Sequence, residues 1–182
     1  SAALAAILIT ISALLPAQNF RGEVVARNVP LPEERASVTL SGGQVVVLTL
    51  PPDRIFTSGL DVRIRPADGE TPVPGAFTVA VYAAIDAPAE AGVVNIAGSH
   101  QERQPLGETP SLSMVIPFRG AEIPTPPAGT RILDPIDPGI GPVGIQIVPA
   151  TKGLSAEAAN AQFVVEIAPR VRKVGALVVR ID

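Results

Sequence analysis

Proline or glycine interrupts this chain every few residues, and the short apolar runs between the interruptions alternate with polar residues in steps of two. Both residues are costly inside a helix and tolerated in turns. Punctuation this dense predicts strands joined by loops, with helix as the minor component. The 182 residues include 20 prolines and 16 glycines, yet 47% are apolar and only 17% charged, a balance that disfavours disorder. A chain of this length buries roughly 70% of its unfolded surface on folding.

The alternation locates the strands. Ala36, Val38 and Leu40 share one face, Ser37, Thr39 and Ser41 the other, and Gly42-Gly43 follows. That pattern predicts a hairpin in which Val45 faces Leu40 and Val47 faces Val38. Val46, Leu48 and Leu50 then fall on the opposite face, which marks the second strand as central and covered on both sides. Leu60, Val62 and Ile64 alternate with Asp61, Arg63 and Arg65, so that strand has one wet face. Phe77, Val79, Val81 and Ala83 alternate with Thr78, Ala80 and Tyr82 in the same way. Leu112 to Phe118, Val143 to Ile147 and Phe163 to Ile167 carry further inward sets, and weaker candidates lie at 23–27 and 92–96.

The fold class expected is all-β, an antiparallel β-sandwich of jelly-roll or immunoglobulin-like type with about nine strands. One short helix is expected at Ser155 to Gln162, with Ser155 as its cap. Residues 97–110 and the proline-rich 119–142 are expected to be long loops, the second crossing the domain.

Ala2 to Leu15 is uncharged and apolar, about as long as a signal-peptide core and short for a bilayer span. Residues 1–17 are therefore expected to be a signal peptide cleaved near Ala17. Residues 18–182 would form a single sandwich domain with no stable membrane span after cleavage, placed in the periplasm or at the cell surface of a bacterium. Leu177, Val179 and Ile181 continue the alternation, as they would if a further domain followed.

Composition excludes several chemistries. The net charge is −3, and Arg170/Arg172/Lys173 is too short a basic cluster for a nucleic-acid footprint. With no cysteine the chain has no disulfide, thiolate nucleophile or lipid-acceptor thiol, and with one histidine it cannot build a two-histidine zinc site. Phosphate-loop, dinucleotide, nucleophile-elbow and zinc-protease motifs are absent from the sequence, and no cofactor is called for. Four residues are candidates for ligand binding: Tyr82 as an aromatic platform, and His100, Glu102 and Arg103 as the most polar cluster. Asp134 and Asp137 are weak calcium candidates, although Asp-Pro and Pro-Gly are ordinary turn formers.

The function expected is a non-catalytic module of the bacterial cell envelope, in a structural, assembly or protein-interaction role. Its partner would be a protein or an adjacent domain, engaged through an exposed sheet edge or the C-terminal strand that carries Arg180. The alternative is a module that binds carbohydrate or another cell-wall ligand. A glycosidase-type enzyme comes third, because it needs two carboxylates facing each other across a cleft.

Overall fold

A computed structural model describes residues 20–24, 35–48, 57–83, 93–96, 100–123, 125–137, 143–150 and 154–171. They form a two-layer β-sandwich, as the alternation predicts. The first sheet has six strands in the order β6-β1-β3-β10-β5-β7, and the second has five in the order β2-β11-β4-β8-β9. In chain order these are β1 (Phe20–Val24), β2 (Ala36–Ser41), β3 (Gln44–Leu48), β4 (Thr57–Pro66), β5 (Phe77–Ala83) and β6 (Val93–Ile96). Then come β7 (His100–Leu106), β8 (Leu112–Pro117), β9 (Thr130–Ile132), β10 (Val143–Pro149), the single turn of helix α1 (Ala156–Ala159) and β11 (Gln162–Val171). Pairing is antiparallel except for β1 with β3 and β8 with β9, which run parallel.

Register turns the alternation into a core. In the five-stranded sheet Val38, Val165, Ile64 and Leu112 stand in one row across β2, β11, β4 and β8. In the six-stranded sheet Val46, Ile145 and Val81 stand in a row across β3, β10 and β5. The two sets face each other in one buried cluster, with Phe77 and Phe163 in edge contact at a centroid distance of 4.9 Å. Each fully buried Leu, Ile or Val contributes about 1.5–3 kcal/mol relative to exposure, so these rows are the main source of stability.

Three expectations change. Gly42-Gly43 does not close a hairpin within one sheet, because β2 lies at an edge of the five-stranded sheet and β3 inside the six-stranded one. The chain turns a corner there. Gly43 takes φ +86, its N–H donates to the Ile147 carbonyl at 2.7 Å, and the Gln44 side-chain oxygen accepts from the Ser41 N–H at 2.8 Å. Leu40, Val46 and Leu48 therefore share the interior, while Val45 and Val47 join Ala80 and Tyr82 in a second buried cluster. Burial of β3 on both faces is as expected, and Leu50 lies outside the described residues.

Second, Ala80 and Tyr82 are not on a wet face. Both are buried, and the Tyr82 hydroxyl donates to Gln146 Oε1 at 3.0 Å while Gln146 Nε2 donates to the Gly43 carbonyl at 2.9 Å. Third, the segment expected as the 97–110 loop contains β7, which pairs with β5 along its whole length. The 119–142 segment likewise contains β9 and sends Leu133 and Ile136 into the core. The helix is shorter than expected, but Ser155 caps it, accepting from the Ala158 N–H at 3.1 Å. The Leu177, Val179 and Ile181 alternation lies outside the described residues.

Candidate functional site

One end of the sandwich carries a cleft of about 360 Å³. Its floor is the edge-packed pair Phe77, the first residue of β5, and Phe163, the second of β11, only 2% and 1% exposed. One wall is the connection between β4 and β5. There Ala67 N–H donates to the Gln162 carbonyl at 2.8 Å, Gly69 N–H to the Pro66 carbonyl at 3.3 Å, and Glu70 N–H to Asp68 Oδ1 at 3.0 Å. The side-chain bond is the local turn that a short carboxylate favours. Ala76 N–H donates to the Val73 carbonyl at 3.1 Å and closes the connection.

Gly107 fixes the same wall from behind. It takes φ +104, and a Cβ there would come within 2.9 Å of both the Pro72 carbonyl oxygen and Pro74 Cα. Only glycine lets the two backbones approach this closely. The opposite wall is α1 and the residues around it, Ser155, Ala158, Asn160 and Ala161, whose small side chains leave the space open. Asn160 Nδ2 donates to the Ala156 carbonyl at 3.1 Å and ties off the helix end.

The lining has a definite chemistry. Its ionisable residues are Asp68 and Glu70, both acids on the same wall, and Val73 stands beside them at 62% exposure. An apolar floor beneath an acidic rim accommodates an apolar chain that ends in a cation.

The residues singled out in the sequence lie elsewhere. Tyr82 is 1% exposed and sits between other strands of its sheet, so it is not a surface platform; its alternation with apolar neighbours did not reveal that both faces of β5 are covered. Register places His100 opposite Ala83, Glu102 opposite Val81 and Arg103 opposite Ala80, with Gln101 opposite Tyr82. His100 and Glu102 thus share rows with core residues, whereas Arg103 shares the alternate rows with Tyr82. Asp134 is exposed and Asp137 half-buried. They flank Ile136, whose N–H donates to the Pro117 carbonyl at 2.9 Å and whose carbonyl accepts from Arg119 N–H at 2.8 Å. Among the described residues no three His, Cys, Asp or Glu side chains gather as a metal site.

Sequence reasoning missed the cleft because its parts are far apart in the chain. The signal available was the stretch from Ala67 to Gly75, where Val73 stands alone between Pro72 and Pro74 in a polar connection. An isolated apolar residue on a rigid loop points to a contact rather than to a core.

No protein-family model matches the sequence, and no curated protein matches it. Among solved structures the chain is similar to PliG of Aeromonas hydrophila, a periplasmic lysozyme inhibitor of g-type lysozyme. The match covers 82% of this chain and 99% of that one, at 10% identity and a TM-score of 0.33. A score at that level does not demonstrate a common fold, and the functional reading of this chain comes from its own residues.

Proposed function

We propose that this chain is an exported, non-catalytic β-sandwich module of the bacterial cell envelope that engages a protein partner at its end cleft. The observation that carries the reading is the acidic rim of Asp68 and Glu70 around exposed Val73, above a floor of Phe77 and Phe163. A lysine or arginine flanked by apolar residues matches this surface, with its alkyl stem against exposed Val73 and its charge at the carboxylates. Export is supported by the uncharged Ala2 to Leu15 stretch. Among the described residues no helix is long and apolar enough to cross a membrane.

A titration of the protein with the peptide Leu-Lys-Leu-Lys-amide, followed by amide chemical shifts, tests the reading. Shifts at residues 66–73 and 154–163 that disappear in the Asp68→Asn/Glu70→Gln variant are expected. Silence at those positions up to millimolar peptide, or shifts that survive the double substitution, would reject it.

The carbohydrate reading loses its main support in the structure. Tyr82, Phe77, Phe118 and Phe163 are all buried, so among the described side chains no aromatic face is presented to a sugar.

A further inference from the structure

The outer face of the five-stranded sheet carries a second groove, opposite in sign to the end cleft. Asp61 and Arg63, both exposed, and half-buried Arg65 project from one face of β4, with Glu166 and Arg170 beside them on β11 and Arg35 just before β2. All of these except Arg65 bound a depression of about 280 Å³ whose far side is Pro127 and Thr130. Four arginines and two carboxylates therefore meet on one face of a chain whose net charge is −3.

The carboxylates are already engaged. Arg170 Nη1 donates to Asp61 Oδ1 at 3.1 Å, and Arg65 Nε lies 3.6 Å from Glu166 Oε1. Arg63 stands directly opposite Glu166 in the register, yet the contact of Glu166 is the diagonal one to Arg65. Among the described residues neither Arg63 nor Arg35 has a carboxylate within ion-pair distance, and both are exposed. Two guanidinium groups thus border the groove with donors to spare, and Ser113 and Thr130 add hydroxyls on its β8 and β9 side.

We propose that this groove recognises an acidic side chain on an extended segment of a protein partner, with Arg63 and Arg35 as the carboxylate-binding residues. A planar guanidinium fits a carboxylate in two-pronged geometry and loses little hydration on doing so. The class of partner follows from the mixture of charges. A dense polyanion such as a nucleic acid or a sulfated polysaccharide would bring further negative charges against Asp61 and Glu166, whereas a single acidic residue flanked by neutral or basic ones meets Arg63 and Arg35. Ala168 and Pro127 supply the apolar surface on which such a segment would lie. The site is separate from the end cleft and does not depend on it.

The test is a titration of the full chain at low ionic strength with the peptide Ser-Ala-Glu-Ala-Ser-amide, and in parallel with inorganic phosphate. The expected result is peptide-induced amide shifts at 35, 61–65, 113, 130 and 166–170, with affinity falling at least about fivefold in Arg63→Gln and again in Arg35→Gln. Raising the salt should weaken binding, because the groove is open to solvent. Arg131→Gln serves as the control: Arg131 is exposed and pairs with Glu108 at 3.0 Å outside the groove, so its loss should leave binding unchanged. Asp68→Asn/Glu70→Gln should also leave it unchanged, which separates this site from the cleft. The proposal is overturned if no shifts appear at millimolar peptide, if Arg131→Gln weakens binding as much as Arg63→Gln, or if phosphate binds the groove more tightly than the peptide.

Discussion

Replacing Tyr82 by phenylalanine removes one oxygen atom from a buried chain of hydrogen bonds. The Tyr82 hydroxyl donates to Gln146 Oε1, and Gln146 Nε2 donates to the carbonyl of Gly43 at the corner where β2 passes to β3. Gln146 is only 5% exposed, so without the hydroxyl its side-chain oxygen is left as a buried acceptor. That costs about 1–3 kcal/mol, and because the ring is retained little cavity energy is added. For a chain of this size the corresponding drop in melting temperature is about 2–4 °C per kcal/mol. Replacing both partners, Tyr82→Phe with Gln146→Leu, removes the orphaned acceptor along with the donor. The double variant should be less destabilised than the sum of the single ones, by a coupling of about 0.5–3 kcal/mol. Thermal and urea unfolding of the four proteins measures the cycle. A Tyr82→Phe variant within about 0.5 kcal/mol of the parent, or strict additivity in the cycle, would refute the claim that this buried network is satisfied from within.

Other substitutions separate packing from exposure. Ile145→Ala, in the centre of β10 at 0% exposure, should cost about 2–5 kcal/mol in urea unfolding. Ile132→Ala, at 51% exposure, should stay within about 0.5 kcal/mol. The glycines make a second contrast. Gly43→Ala carries only the strain of φ +86, about 1–2 kcal/mol, since nothing stands within 4 Å of the added methyl group. Gly107→Ala must also displace the Pro72 and Pro74 backbone, so it should cost more than Gly43→Ala and shift the amide signals of residues 67–76. Burial raises the Asp61 carboxyl above its ordinary value of 3.8, and the opposing pull of Arg170, and then of Arg35, does not cancel it. The folded state therefore keeps this proton to a higher pH than the unfolded chain. The stability so gained is fully present below the ordinary value and is lost as pH rises through the folded one. Denaturation measured across that window should show a small fall from this group, and Asp61→Asn should flatten it.

Much of the sandwich is legible in the sequence because burial of one sheet face imposes a period of two, and that period survives reading one strand at a time. Val62 and Ile64 on β4, and Val165 and Ile167 on β11, occupy the interior that their alternation assigns to them. Partnership is not legible in that way. The residues Ala36 to Leu48 fit a hairpin and a corner equally well, since both place Leu40 inside, and only the second sheet decides that Val46 rather than Val45 joins it there. In the sequence Tyr82 and Ala80 fit a wet face, because tyrosine and alanine are tolerated on either side of a sheet. The end cleft was illegible for a related reason. Asp68 and Glu70 meet α1 only because Phe163 pairs with Pro66 across a separation that no local pattern records.

Backbone assignment and nuclear Overhauser contacts of the intact chain test the architecture most directly, because the chain passes from one layer to the other between β2 and β3. Contacts linking Val38 to Val165 and Val47 to Gly144 are predicted by the strand registers. A ladder joining Val38 to Val47 instead would place the two strands side by side in one sheet and contradict the structure on which both proposals stand.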